Sequence, residues 1–90
     1  MIFMTSSKLK YKRVKITWFD ITQSEETWIH EDNITNTRLA ECVDEGYLYK
    51  KDKKHVWTFS GYSFNDDGKL DVSNVNVFPR AVIKKIEVIK

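Results

Sequence analysis

One cysteine, one proline, three glycines and two histidines are all that 90 residues offer of the side chains on which most recognisable site chemistry is built. With Cys42 alone, no intramolecular disulfide forms and no cysteine-based zinc site can be assembled. Gly46, Gly61 and Gly68 stand apart, so there is no glycine-rich loop to cradle a phosphate. His30-Glu31-Asp32 is contiguous and His55 is distant, which gives no metal-ligand spacing. Met1-Ile2-Phe3-Met4 is apolar for only four residues, far short of a signal-peptide core or a membrane span. These absences point to a cytoplasmic protein with no membrane segment, no metal and no cofactor. In that setting the glycosylation sequon Asn33-Ile34-Thr35 is a chance match.

Nor is there an excess of charge. A net +2 is too mild to announce a nucleic-acid binder, although the charges are unevenly spread. Lys8, Lys10, Lys12, Arg13 and Lys15 give the first nineteen residues +5. Residues 20–45 carry eight carboxylates against Arg38, hence −7, and residues 46–90 carry nine basic and five acidic groups, hence +4. Such segregation either creates opposed surface patches or is neutralised between neighbouring strands.

Aromatic residues, by contrast, are abundant: three Trp, four Tyr and five Phe. Each buries roughly 150–250 Å² when fully enclosed, so twelve of them are more than one small interior accommodates. The expectation is that several are exposed and meet another molecule.

Along the chain, residues 1–10 lack periodicity and are expected to be a flexible terminus, leaving 11–90 as one domain. Val14, Ile16 and Trp18 alternate with Arg13, Lys15 and Thr17, so Lys12 to Ile21 reads as a strand. Gln23 to Thr27 reads as a loop. After it, Asp32 is placed to cap a short helical turn anchored by Ile34 and Leu39. Ala40 to Lys50 reads as one long strand bent at Gly46. Lys50 to Lys54 is a turn, and His55 to Phe64 is the next strand. Asp67-Gly68 marks a hairpin, and Leu70 to Phe78 is the returning strand. Pro79 ends that strand and leaves room for one helical turn before a terminal strand holding Ile86, Glu87 and Val88. The fold expected is all-β: a five-stranded antiparallel, partly open small barrel with a short helical turn before the last strand.

For catalysis, Cys42 with His30 or His55 is the only nucleophile–base combination on offer. On a strand beside Ala40 and Val43, Cys42 reads as a small packed residue instead. Asn65-Asp66-Asp67-Gly68 superficially matches a calcium loop but lacks the later bidentate Glu, and it reads as turn chemistry. Two signals remain. Tyr47, Tyr49, Trp57 and Phe59, with Tyr62 and Phe64, crowd the two central strands on both faces. Lys50, Lys51, Lys53, Lys54, Arg80, Lys84 and Lys85 lie near them in sequence. Rings bordered by cations suit single-stranded nucleic acid or a nucleotide phosphate. Lysine-rich turns also simply solubilise.

Several stretches in combination resemble small accessory proteins of tailed bacteriophages: Lys15-Ile16-Thr17-Trp18-Phe19-Asp20, then Trp28, then Glu41-Cys42-Val43 leading into Gly46-Tyr47-Leu48. Gly61-Tyr62-Ser63 and Phe78-Pro79-Arg80 ahead of Ile83 and Ile86 complete the likeness, which spans about residues 11–89. The resemblance implies a Src-homology-three-like small barrel, located in the cytoplasm of an infected bacterium. It further implies a non-enzymatic module that blocks a host protein or defence signalling, by protein binding or by sequestering a nucleotide. No site residues come with it. On the residues themselves, Tyr47, Tyr49, Trp57 and Phe59 are the expected apolar or stacking contacts, and Lys51, Lys54, Arg80 and Lys84 the expected anionic ones. A nucleic-acid-binding small barrel is the alternative, and self-association is expected of so aromatic a chain.

Overall fold

The alternation between Arg13 and Asp20 becomes strand β1 in the computed structural model, which describes residues 9–90. Six further strands follow: β2 (Ala40–Lys51), β3 (His55–Phe59), β4 (Gly61–Phe64), β5 (Leu70–Ser73), β6 (Asn76–Pro79) and β7 (Ile83–Val88). A 3₁₀ segment, Glu31–Asn36, lies between β1 and β2, and a single 3₁₀ turn, Arg80–Val82, precedes β7. Residues 1–8 of the expected flexible terminus lie outside the described residues; Leu9 and Lys10 have no regular structure.

Five strands form one antiparallel sheet in the order β6-β3-β2-β1-β7, and β4 and β5 form a separate hairpin. The all-β antiparallel expectation therefore holds, while the sheet itself is open, with β6 and β7 as its two edges. Pro79 closes the edge strand β6, where its missing donor costs no ladder bond to a further strand.

The two long strands expected over His55–Phe64 and Leu70–Phe78 are each broken. Asn74 adopts a left-handed conformation (φ 55°), which asparagine tolerates better than most residues. The break uncouples β5 from β6, so the inner halves of the pair stay in the sheet and the outer halves turn away as the hairpin. Asp67-Gly68 makes the hairpin turn as expected. Gly68 has φ 83° and its amide donates to the Asn65 carbonyl at 2.9 Å, while the Asp67 carboxylate accepts from the Lys69 amide at 3.0 Å.

The register explains the core. Ile16 pairs with Ile86 and Val56 with Phe78, and cross-strand partners share a face. Val14, Ile16, Val56 and Phe78 are buried there, with Trp18, Leu48, Ile83 and Ile86 packed around them. Full burial of each such aliphatic or aromatic side chain contributes about 1.5–3 kcal/mol. Trp18, half-buried, crosses Phe78 edge-to-face at 5.6 Å and donates its indole N–H to Asp44 at 2.6 Å.

Odd-numbered β1 residues turn to the opposite face, where part of the uneven charge is neutralised between strands. Arg13 pairs with Glu45 at 3.0 Å and Lys15 with Glu87 at 3.8 Å. Lys84 of β7 reaches Glu41 of β2 at 3.3 Å. These exposed pairs are individually weak, each about 0–1 kcal/mol, and serve to match neighbours rather than to build a field.

Candidate functional site: an aromatic groove and an apolar arm

The opposite face also carries a second cluster, aromatic throughout. Tyr47 pairs with Phe59 in the β2–β3 ladder and their rings lie 5.5 Å apart. From Phe59, edge-on contact continues to Tyr11 at 5.6 Å and from there to Tyr49 at 5.4 Å. In the other direction Tyr47 meets Tyr62 at 5.7 Å, and Tyr62 meets Phe64 at 6.1 Å. Among the twelve aromatic residues, only Phe59 and Phe78 are buried within the described residues, so this cluster is a surface feature with Phe59 as its floor.

A bulge shapes it. The β2–β3 register shifts between Leu48 and Lys50, so Tyr49 is the extra residue and Lys50 lands opposite Trp57. The hairpin supplies the facing wall. Between them lies a groove of about 440 Å³ lined by Tyr11, Tyr49, Trp57, Leu70, Val72 and Val75 over Phe59. Tyr49 and Val75 are each 59 % exposed, so the walls present apolar surface to solvent. Next to it runs a cleft that shares Tyr11 and Tyr49 and is bordered by Lys10, Lys12, Lys50 and Lys51. The Lys50 ammonium lies 5.7 Å from the Trp57 ring centre.

Of the aromatic residues named from sequence, Tyr49, Trp57 and Phe59 line this groove, and Tyr47 sits behind it between Phe59 and Tyr62. Of the four named cations, Lys51, Lys54 and Arg80 gather at the β2–β3 turn outside the groove lining, and Lys84 stands apart. Lys51 borders the adjoining cleft, and Lys54 lies in the β2–β3 turn, where its carbonyl accepts from the Arg80 amide at 2.8 Å. The Arg80 guanidinium donates to the Asp52 carbonyl at 2.9 Å and so braces that turn, while Lys84 is committed to Glu41. Sequence reasoning missed Tyr11, Leu70, Val72 and Val75. The last three depend on the break at Asn74, for which no local pattern gave a sign.

The β1–β2 connection is the second feature. Residues 21–39 leave the sheet as an arm, closed at its base by a hydrogen bond from the Thr22 hydroxyl to the Arg38 carbonyl. His30, rather than Asp32, caps its 3₁₀ segment: the imidazole Nδ1 accepts from the Asp32 amide at 3.2 Å. Ile34 and Leu39, expected to anchor this turn, are exposed instead, and Trp28 is 89 % exposed.

Cys42 is half-buried near the start of β2, while His55 lies beyond its far end, roughly 30 Å away along the strand. His30 and His55 instead face carboxylates, Asp32 at 3.6 Å and Asp52 at 3.7 Å. The Lys54 and His55 amides both donate to Asp52 and hold its carboxyl below the usual carboxylate range. No cluster of three or more potential metal ligands occurs among the described residues, and no helix there is long and apolar enough to cross a membrane. No family model, no curated protein and no solved structure matches the chain.

Proposed function

We propose that the chain is a non-enzymatic binding module whose aromatic groove takes an apolar segment of another protein. The observation that carries this reading is the groove itself: rings and aliphatic walls open to solvent over a buried Phe59. A concave apolar surface with a few polar groups at its margin suits aromatic or aliphatic anchors of a partner. A nucleotide fits it less well, since Lys54, Arg80 and Lys84 stand elsewhere. We further read the open sheet as a small barrel of the Src-homology-three type left unclosed. Five strands, with the last returning to the first after a single helical turn, support that reading. On its resemblance to bacteriophage accessory proteins, we read the module as acting in the cytoplasm of an infected bacterium on a host protein or a component of defence signalling.

The cleft bordered by Lys10, Lys12, Lys50 and Lys51 supports a second reading, single-stranded nucleic acid stacked on Tyr11 and Tyr49. Two measurements separate the readings. An array of host-derived peptides probed with the labelled protein should capture segments with aromatic or aliphatic anchors. The combined Tyr49→Ala and Trp57→Ala variant should lose that capture by about tenfold or more. A fluorescent oligonucleotide titrated across salt should bind weakly and without the steep slope of phosphate neutralisation. Peptide capture indifferent to the double variant refutes the groove, and a steep salt slope abolished by Lys50→Glu with Lys51→Glu establishes the nucleic-acid reading instead.

A further inference from the structure

β1 and β2 pair directly at Asp20 and Ala40, so a turn of a few residues would have joined them. The chain instead inserts residues 21–39, and connections longer than about 12–15 residues are uncommon in compact domains and usually functional. This one presents Ile21, Trp28, Ile34 and Leu39 to solvent, with Ile21 86 % exposed. Single exposed aliphatic side chains are ordinary; four large apolar side chains on one arm, led by an uncovered tryptophan, mark a contact surface.

We propose that the arm is the anchor of a reciprocal homodimer, each arm docking through Trp28 into the aromatic groove of the other copy. This rests on the groove's being a recognition site, as proposed above, and names the occupant it takes when no other partner is present. Three observations converge on a second copy. First, arm and groove lie at opposite ends of the same strands. The arm leaves at Asp20 and Ala40, whereas the groove lies past the Arg13–Tyr47 pair, about 23 Å along β1. An arm tethered at both ends and folded into a 3₁₀ segment does not cover its own groove. Two copies laid antiparallel bring both arms onto both grooves at once, which closes the assembly as a twofold dimer rather than an open chain.

Second, the charges match. The arm carries Glu25, Glu26, Glu31 and Asp32 against Arg38, while among the described residues no carboxylate lines the groove or its adjoining cleft, and the cleft carries Lys10, Lys12, Lys50 and Lys51. Third, the arm supplies apolar surface to bury. A standard interface buries about 800 Å² per partner, so with twofold symmetry each arm–groove contact has to supply about 400 Å² per chain. Trp28 alone accounts for about 150–250 Å² of that on the arm side.

Sedimentation of the full chain over a range of concentrations tests the proposal. The expected species has the mass of two chains. Trp28→Ala, which removes a side chain nearly uncovered in the single copy, should leave the circular-dichroism spectrum intact and weaken self-association by about thirtyfold or more. Glu25→Lys with Glu26→Lys, and separately Lys50→Glu with Lys51→Glu, should each dissociate the dimer. An equal mixture of those two folded variants should associate again, because the mixed dimer has one native contact and one charge-reversed contact, and both are complementary. A chain that stays monomeric overturns the proposal, as does a dimer indifferent to Trp28→Ala or charge variants that fail to recombine. The peptide array separates this failure from that of the groove: a Trp28→Ala chain that still captures peptides leaves the groove standing and removes only the arm as its occupant.

Discussion

Gly46 offers a decision between two physical accounts of one residue. A glycine inside a strand pattern reads as a bend, and replacing it by alanine would then relieve backbone entropy, a gain of about 0.5–1 kcal/mol. The structure gives a different reason. A Cβ at position 46 would lie 2.9 Å from the Phe59 carbonyl oxygen, 3.5 Å from its carbon and 3.6 Å from the Thr58 Cβ. The closest of these is 0.5 Å inside the 3.4 Å at which ordinary contact begins, and it is backbone, so no side chain can swing aside. β2 and β3 must separate locally, next to buried Thr58 and the groove floor Phe59. Overpacking of this kind costs about 1–3 kcal/mol, and subtracting the entropic gain leaves a net loss centred on about 1 kcal/mol. For a domain of this size that lowers Tm by roughly 4–8 °C. Thermal melts of Gly46→Ala followed by circular dichroism at low protein concentration measure it. An unchanged or raised Tm would refute the close-approach account and restore the bend.

Two further predictions concern the polar contacts. The Trp18 indole and Asp44 carboxylate, 2.6 Å apart and half-buried, should show a coupling of about 1–2 kcal/mol in a double-mutant cycle of Trp18→Phe and Asp44→Ala read by urea unfolding. Strict additivity would show that the hydrogen bond does not hold in solution. Asp52 has a folded pKa below its ordinary value of 3.8, so its stabilising effect is full above that value and fades as pH falls through the lower folded one. Asp52→Asn should therefore lose less stability than the parent on acidification from about pH 6 to 2, and parallel acid profiles of the two would dismiss the carboxylate's role.

Much of the sheet was legible because alternation reports a face directly. Val14, Ile16 and Trp18 point together in the sequence and pack together in the fold. The turn at Asp67-Gly68 and the helical turn behind Pro79 were equally plain, since both rest on local backbone chemistry. What stayed hidden depends on distant partners. Nothing near Asn74 says that the hairpin will leave the sheet, so Leu70, Val72 and Val75 read as ordinary strand residues rather than as a wall. Lys84 and Arg80 looked like free cations because the carboxylate and carbonyl that engage them, Glu41 and Asp52, are far away in sequence. The arm was misjudged for a related reason. Ile34 and Leu39 look like anchors by composition, and only the fold reveals that no interior lies beneath them.

The pairing of Val14 with Val88 has a consequence for how the protein is made. β1 leaves the ribosome long before the strand that covers its outer edge. Until residues 83–88 have emerged, a nascent chain holds Val14 and Ile16 beside an unfilled backbone edge, and contacts so remote in sequence form slowly. The same pairing brings the two ends of the domain side by side, with the Ile89 amide on the Arg13 carbonyl at 2.8 Å. A short linker would therefore be enough to splice them and reopen the chain elsewhere.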